Sequence, residues 1–490
     1  MGRLTGMRIL ILNGSPAGNA SITLQTMEYI KVLFPDHEYE TIHVGQQIRS
    51  IEKDFSEARE ALERAELIVF CYPVYTFLAP AQLHRFIGLM KASGIDFAEK
   101  FATQLTTSKH FYDTTAHRYI SDNCADMRLR CIRGLSADME DLLTKKGQKE
   151  ARAFFKYVLW NIRKGYCEPA SAAMPKERFA PVIATAAAVK KRGPEEAGSE
   201  QTACVKHRDA LHIALVTDYD PDYQTAKEGV GATGDSAALA DSTALVAMID
   251  RFRSSFPGEC ELINLHEFPF SGGCLGCFHC ASDGKCIYKD GFDDYLREHI
   301  NGADAVVYAF TIRDHSMGHR FKMYDDRQFC NGHRTVTMGK PVGYLVDGDL
   351  QAEENLRTLI EARAEVGGNF LTGIASDEKD PDREIDQLAH RLAYAIRRGY
   401  TPPKNFYGVG GLKIFRDLIY EMQGLMREDH RFYKEHGFYD FPQKKRGKIA
   451  AMYLVGALMG NEKLMKKSKV SMTDGMLMPY KKVIEEAGNK

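Results

Sequence analysis

The feature that most constrains the fold is a repeat within the chain, whose matched segments keep their order along 490 residues. Chance seldom produces several such echoes in one order, so we expect a duplicated strand–helix domain. The matched segments are Ala65–Phe70 with Ala303–Tyr308, His84–Phe86 with His319–Phe321, Gly134–Asp138 with Gly373–Asp377, and Ile162–Tyr166 with Ile396–Tyr400.

Short apolar runs without polar alternation predict strands that are buried on both faces, as in a parallel sheet. These runs are Met7–Leu12, Leu67–Cys71, Phe101–Leu105 and His212–Val216. Helical stretches follow at Leu24–Leu33 and from Gln82. The pattern predicts two doubly wound α/β domains in tandem.

The loop after the first strand carries small and hydroxylated residues before a helix. Backbone amides and hydroxyls at a helix start suit a phosphate, and the absence of the glycine-rich dinucleotide fingerprint favours a mononucleotide. A plain strand–helix turn is the alternative. The candidate residues are Ser15, Pro16, Asn19, Ser21 and Thr23.

Two further loops follow predicted strands at the sheet edge where α/β proteins bind planar ligands. The first, Pro73–Phe77, combines proline stiffness with aromatic surfaces. The second offers polar groups from Thr107, Ser108 and His110. His110 is equally well read as a solvated loop histidine. The binding candidates in these loops are Pro73, Val74, Tyr75, Thr76, Phe77, Thr107, Ser108 and His110.

Four of the eleven cysteines form a compact run in the second half of the chain: Cys274, Cys277, Cys280 and Cys286. Iron–sulfur clusters require cysteine thiolates gathered by a tight loop, and this spacing is close to the compact ferredoxin run. A zinc knot usually separates two cysteine pairs by a longer arm. Zinc, or reduced structural cysteines without metal, remain the alternatives.

These loops resemble those of the flavodoxin-like NAD(P)H-dependent oxidoreductases, including the iron–sulfur flavoproteins. The resemblance implies two tandem flavodoxin-like domains. It also implies that Asn13–Pro16 holds the phosphate of FMN, that Pro73–Tyr75 lies against the isoalloxazine, and that Thr106–Asp113 is the third flavin loop. In the iron–sulfur members a compact cysteine run like this one carries the cluster. The resemblance extends from Met7 to Tyr400.

The second copy departs from that pattern. Asp218, Asp220 and Asp222 stand near its expected phosphate site, where carboxylates would repel a phosphate, and Gly229–Asp241 lengthens the loop. Ala309–His315 replaces the Pro-Val-Tyr loop. We therefore expect one FMN in residues 1–166 and one cluster in residues 209–400, facing each other across a pseudo-twofold interface. Two independent domains on a linker are the alternative.

Composition excludes several classes of protein. The net charge of −1 gives no electrostatic reason to expect nucleic-acid binding. No apolar run approaches the ~20 residues of a membrane-spanning helix. No signal peptide is visible, and the scattered remaining cysteines are typical of reduced cytoplasmic thiols.

We expect four regions: a flavin domain at 1–166, a linker at 167–208, the cysteine-bearing domain at 209–400 and a helical C-terminal extension at 401–490. In the extension, basic clusters at Lys444–Arg446 and Lys463–Lys469 flank an apolar stretch. That arrangement is compatible with a membrane surface, although a helical cap or subunit contact is the commoner outcome.

The function that the sequence and this resemblance favour is an FMN-dependent oxidoreductase drawing electrons from NAD(P)H or a reduced carrier, with a 4Fe–4S cluster as relay. Its acceptor would be a small molecule or a protein, and assembly into a homo-oligomer is left open. No side-chain triad stands out, which agrees with chemistry carried by a cofactor. The alternatives are a non-catalytic electron carrier and a scaffold that has lost its cofactors.

Overall fold

The computed structural model describes residues 6–168, 211–219 and 236–459. Most of the predicted linker, Asp220, Asp222, Lys463–Lys469 and most of Gly229–Asp241 lie outside the described residues. The described part contains two parallel α/β sheets, as the repeat predicted.

The first copy is built on a sheet of order β2-β1-β3-β4-β5, with β6 also paired to β4, and every pairing is parallel. The strands are β1 (Arg8–Asn13), β2 (Glu38–Ile42), β3 (Leu67–Pro73), β4 (Phe101–Ser108), β5 (Arg130–Cys131) and β6 (Leu135–Asp138). The helices are α1 (Ile22–Leu33), α2 (Val44–Lys53), α3 (Ser56–Arg64), α4 (Ala81–Ala92), α5 (Asp113–Asp126) and α6 (Lys145–Lys164).

The second copy has a parallel sheet of order β11-β10-β9-β7-β8. Its strands are β7 (His212–Thr217), β8 (Glu259–Asn264), β9 (Ala305–Thr311), β10 (Pro341–Asp347) and β11 (Phe370–Ser376). The described helices are α7 (Ser236–Ser255), α8 (Cys280–Asp283), α9 (Phe292–Tyr295), α10 (Gly318–Arg327), α11 (Glu354–Gly367) and α12 (Pro381–Arg398).

The apolar strands form two-sided cores because successive side chains point to opposite faces. In β1, Ile9 and Ile11 pack in a cluster with α1 and α6, whereas Leu10 and Leu12 enter the opposite cluster. That opposite cluster also contains Phe310 of the second copy, together with residues of α4 and α10. The two copies therefore share one continuous hydrophobic core, and α4 packs directly on α10.

Three helices are described after the second copy: α13 (Phe406–Glu421), α14 (Arg427–Glu435) and α15 (Arg446–Met459). The Asn405 side chain caps α13 by accepting from the amide of Tyr407 at 2.9 Å, and α13 packs on α11. Residues through Phe432 form one compact unit and residues from Tyr433 form another. None of the helices that the structure describes is long and apolar enough to span a membrane.

Candidate functional site

The loop between β1 and α1 is shaped by the side chain of Asn13. Its Oδ1 accepts a hydrogen bond from the Ser15 amide at 3.1 Å, and its Nδ2 donates to the Gly18 carbonyl at 3.0 Å. Ser21 caps α1 by accepting from the Leu24 amide at 3.4 Å. The chain therefore turns tightly at the start of a helix, which is a favourable position for an anion.

Helix α2 closes this loop from one side. A Cβ atom added at Gly45 would collide with the backbone of Ser15, so only glycine allows so close an approach. On the other side, the hydroxyl groups of Thr23 and Thr107 are 2.5 Å apart. This contact joins the predicted phosphate loop to the third predicted flavin loop.

The loop after β3 contains a tight turn, Tyr75–Leu78. The amide of Tyr75 donates to the Leu78 carbonyl at 2.8 Å, and the reverse bond measures 3.0 Å. Thr76 and Phe77 both have positive φ, 43° and 71°, which is strained for residues with side chains. Such strain persists only where surrounding contacts hold the backbone, and it is concentrated at functional sites.

The second copy supplies the contacts that hold this turn. Lys322 of α10 donates to the Tyr75 carbonyl at 2.8 Å. Asp326, one helical turn further along, accepts from the amide of Ala81 at 2.9 Å and from the Thr76 hydroxyl at 3.2 Å. Both side chains are fully buried and form an ion pair with each other. Burial raises the pKa of Asp326, and the neighbouring Lys322 opposes that effect.

Aromatic rings surround the turn. The Phe77 ring lies 5.0 Å from that of Phe111 and 4.6 Å from that of Tyr112, measured between centroids. On the other side Tyr75 meets Phe329 of the second copy at 5.8 Å. The turn therefore presents flat apolar surfaces, which suit a planar ring.

His110 takes a different position from the other loop candidates. Its side chain is about half exposed, and its Nδ1 lies 2.9 Å from an Asp113 carboxylate oxygen. The neighbouring Lys109 does line the cavity described below, and it forms an ion pair with Asp138 at 3.0 Å.

The cysteine loop of the second copy lies directly against the aromatic turn. A Cβ atom added at Gly276 would clash with the Tyr75 hydroxyl, which shows how closely the two loops approach. The Cys280 thiol donates to the Phe329 carbonyl at 2.9 Å, and burial raises its pKa to about 12. Burial also raises the pKa of Cys274.

A buried arginine anchors the cysteine loop. Arg327 donates to the Gly272 carbonyl at 3.0 Å and forms two hydrogen bonds to Asp290, at 2.8 and 2.7 Å. Burial acts to raise the pKa of Asp290, but the bonds from Arg327 lower it to about 2. Arg49 of the first copy also donates to the Ser271 carbonyl, so both copies position this loop.

A cavity of about 630 Å³ is lined by residues of the three predicted flavin loops and of the cysteine loop. Ten of the predicted flavin-loop residues and all four predicted ligand cysteines line it, whereas Pro16, Asn19 and His110 do not. The lining residues among those predicted are Ser15, Ser21, Thr23, Pro73, Val74, Tyr75, Thr76, Phe77, Thr107, Ser108, Cys274, Cys277, Cys280 and Cys286.

Sequence reasoning missed several other lining residues, including Phe111, Arg327, Phe329 and Cys330. Cys330 is a buried residue that lies 50 positions after Cys280 in the chain. No local spacing pattern could therefore have linked it to the cysteine run. Phe329 and Cys330 closely follow the end of α10, which was the available signal, but the direction of their side chains depends on the tertiary packing.

The four cysteines fit an iron–sulfur group by donor chemistry, because thiols are its usual ligands and all four face one cavity. Their sulfur atoms are not drawn together: among the described residues no group of three or more potential ligands lies close enough to hold a metal ion. The structure thus provides the donor set and a common cavity for it.

The corresponding positions of the second copy differ in chemistry. Asp218 at the end of β7 is buried, which raises its pKa to about 6, although Arg313 and Arg320 oppose this effect. The turn that matches Tyr75–Leu78 is Arg313–Ser316, with the same pair of backbone hydrogen bonds at 2.9 and 3.0 Å. Its side chains form ion pairs rather than an aromatic surface.

The fold and the loops at the carboxyl ends of its strands define a flavodoxin-like α/β protein. Residues 7–112 match the family model described as a flavodoxin-like fold. The resemblance to this family that the sequence indicated is therefore confirmed.

Two curated relatives are named iron–sulfur flavoproteins. The protein from Archaeoglobus fulgidus is 28% identical over 174 residues, which cover 34% of this chain and 79% of that protein. The protein from Clostridioides difficile is 22% identical over 139 residues, covering 26% of this chain and 61% of that protein. Among solved structures, the NAD(P)H:quinone oxidoreductase from Methanothermobacter marburgensis matches with 14% identity and a TM-score of 0.27, covering 32% of this chain and 96% of that one.

Proposed function

We propose that this protein is an FMN-dependent oxidoreductase that takes electrons from NAD(P)H. One FMN would bind the first copy, and one 4Fe–4S cluster would bind the cysteine loop of the second. The observation that carries the proposal is the single cavity lined by three flavin-type loops of one copy and four cysteines of the other. The names of the two curated relatives support it.

The first copy's residues have distinct roles in this proposal. The amides and hydroxyls around Ser15 and Ser21 would hold the phosphate, since both residues line the cavity at the start of α1. Tyr75 and Phe77 would pack against the ring, and Thr107 and Ser108 would donate hydrogen bonds to its polar edge. When bound, the flavin supplies the hydride and electron chemistry that no side chain can provide.

The second copy's residues would hold the cluster and keep it near the flavin. Cys274, Cys277, Cys280 and Cys286 would act as its ligands. Arg327 fixes the backbone of their loop through its hydrogen bond to the Gly272 carbonyl. The contact between Gly276 and Tyr75 would place the two cofactors on opposite sides of one loop–loop junction.

Anaerobic purification followed by absorbance spectroscopy and by flavin, iron and sulfide analysis tests the proposal. We expect FMN and one four-iron cluster per chain, and oxidation of NAD(P)H when an artificial acceptor is added. A colourless protein without iron or flavin would contradict the proposal.

A second candidate function is electron transfer to a protein partner without turnover of a small substrate. It is favoured by three exposed apolar residues beside the predicted ligands, namely Leu275, Phe278 and Ile287. Such a patch around a redox group is suited to docking. Steady-state assays with small acceptors distinguish the candidates, because a carrier would bind both cofactors yet fail to turn over.

We also propose a cytoplasmic location. Each cysteine that the structure describes is a free thiol, which is usual where glutathione and thioredoxin keep cysteines reduced. No nucleic-acid partner is proposed, because the net charge is −1.

A further inference from the structure

The two copies differ in what fills the space between the sheet and its inner helices. In the first copy, Phe70 of β3 and Phe86 of α4 are completely buried there. Gln104, which is paired with Phe70 in the sheet register, accepts from the Tyr72 hydroxyl at 2.7 Å and donates to the His117 carbonyl at 2.9 Å. The space is therefore packed, and these polar atoms are satisfied locally.

The second copy places polar and charged groups at the same level. Tyr308 stands where the repeat places Phe70, and Tyr344 is paired with Tyr308 as Gln104 is with Phe70. Arg363 of α11 lies 2.5 Å from an Asp325 carboxylate oxygen of α10, and its guanidinium lies 5.7 Å from the centre of the Tyr308 ring. The two tyrosine rings are 5.3 Å apart.

Burying this cluster is costly. Asp325 is 2% exposed and Tyr344 is 1% exposed. The free energy lost when an ion pair is removed from water is seldom recovered in full by the attraction between its charges. Apolar residues of similar size often stabilise a core at least as well. The first copy shows that this fold packs without charges at that level, so the fold itself does not require them.

The cluster also faces open space. Tyr308, Asp325, Tyr344 and Arg363 all line the cavity that contains Tyr75 and the predicted ligand cysteines. Apolar side chains form part of the walls beside the cluster, namely Val306, Val342 and Val366. The part of this cavity within the second copy is therefore lined by apolar side chains together with hydroxyl, carboxylate and guanidinium groups, and it is continuous with the predicted flavin site.

We infer that this cluster, Tyr308–Asp325–Tyr344–Arg363, is the binding site for the electron acceptor. The inference rests on the proposed function in calling the ligand an electron acceptor. The phenolic hydroxyls and the guanidinium are donors, so they recognise an oxygen that accepts hydrogen bonds. The apolar walls favour a ring-bearing molecule. The ligand class is an aromatic compound that carries a carbonyl or carboxylate oxygen.

Binding is tested directly on the full-length protein by fluorine NMR. The probes are 4-fluoroacetophenone for a neutral carbonyl, 4-fluorobenzoate for a carboxylate, and 4-fluorotoluene as the ring without oxygen. The variant is the double substitution Tyr308→Phe and Tyr344→Phe, which removes only two oxygen atoms. Tyr72→Phe is the matched control, since it deletes a buried hydroxyl of the first copy's β3 that does not line the cavity.

We expect at least one oxygenated probe to bind more tightly than 4-fluorotoluene, and the double variant to weaken that binding roughly tenfold, the scale of two neutral hydrogen bonds. The control should bind like the unsubstituted protein. Whichever probe responds identifies the carbonyl or the carboxylate source. If the double variant does not fold, Tyr344→Phe alone takes its place, with a loss of about threefold.

Equal binding of all three probes, or equal binding by variant and control, would overturn the inference. Flavin content is measured on the same samples and is expected to remain unchanged. A protein without flavin that still shows the probe preference would refute the proposed function but leave the binding site standing. A protein that contains flavin but shows no probe preference would refute the binding site and leave the proposed function standing.

Discussion

The same turn occurs in both copies, directly after the central strand of each sheet, which is β3 in the first copy and β9 in the second. Tyr75–Leu78 and Arg313–Ser316 have the same pair of backbone hydrogen bonds. In each turn the second and third residues have positive φ: 43° and 71° at Thr76 and Phe77, and 51° and 59° at Asp314 and His315. A strained backbone has thus been kept in both copies.

The side chains on the two turns have diverged. The first turn presents Tyr75 and Phe77 to the cavity that contains the cysteine loop. In the second turn, His315 lies between Glu353 at 2.8 Å and Asp126 of the first copy at 3.0 Å. One copy presents aromatic side chains to the cavity, and the other has closed the equivalent position with ion pairs.

Each turn is held by a lysine of the opposite copy. Lys322 of α10 donates to the Tyr75 carbonyl, and Lys91 of α4 lies 3.0 Å from an Asp314 carboxylate oxygen. Lys322 is 1% exposed, whereas Lys91 is 23% exposed. The comparison indicates that contacts between the copies hold both turns but that the first turn is held in the drier environment.

The largest expected effect concerns the phosphate loop of the first copy. Changing Ser15 and Ser21 together to Asp places carboxylates where a phosphate would lie, so we expect the protein to lose its FMN. Flavin released from purified protein measures the effect, and circular dichroism checks the fold. Asp218→Asn at the equivalent end of β7 is the control and should leave flavin content unchanged. A full equivalent of FMN in the double variant would contradict the assignment.

The next effect concerns the cysteines. Cys280→Ser should lower iron and sulfide content while FMN remains near normal, because loss of a ligand destabilises cluster coordination. Cys71 is buried in β3 and away from the cavity, so Cys71→Ser is the control and should keep its iron. Cys330 lines the same cavity as the predicted ligands and therefore cannot serve as a second control. Equal iron loss in both variants would show that the ligands are misassigned.

A smaller effect is expected from the two lysines that hold the turns. Lys322→Met leaves Asp326 buried and unpaired, which should cost about 3–5 kcal/mol of unfolding free energy. Lys91→Met breaks partly exposed ion pairs with Asp126 and Asp314 and should cost about 0–1 kcal/mol. Urea denaturation of both variants measures the difference. Similar losses in the two variants would mean that the first turn is not held more firmly than the second.

The smallest effect is a pH dependence at His315. Burial acts to lower the pKa of His315, but the hydrogen bonds and charges of Asp126 and Glu353 raise it to about 10. A pKa raised from 6.5 in the unfolded chain stabilises the fold below pH 6.5, and this contribution is lost as the pH rises towards 10.

We expect His315 to contribute about 2 kcal/mol at pH 6, the scale of a hydrogen bond to a charged group, and less as the pH rises to 9. The difference in unfolding free energy between the unsubstituted protein and His315→Gln should therefore shrink over that range. A difference that does not change with pH would show that His315 is not held in its charged form.

The architecture of two parallel sheets could be predicted because both its signals are visible in the sequence. Apolar runs such as Leu67–Cys71 became central strands, and the ordered echoes predicted a second sheet of the same kind. The three loops predicted to hold a flavin could be placed together because parallel strands bring their carboxyl ends to one edge. The match of residues 7–112 to the flavodoxin-like model confirms the fold class.

The packing between the copies could not be derived in the same way. Asp326 caps the start of α4 and Arg327 anchors the cysteine loop, yet the two residues are adjacent on α10 and read as an ordinary charged helix face. Asp326 is buried against the first copy, whereas Arg327 is buried against the cysteine loop of its own copy, and no periodicity encodes either contact. The polar cluster around Arg363 was missed for the same reason, since its members come from four separate elements.

The central claim is that the flavin of the first copy and the cluster of the second exchange electrons within one chain. Rapid mixing of the anaerobic protein with NAD(P)H, followed at the absorbance of the cluster over a wide dilution series, tests it most directly. The account predicts a first-order rate constant for cluster reduction that does not change with protein concentration. A rate that rises in proportion to protein concentration would show transfer between chains and contradict the account.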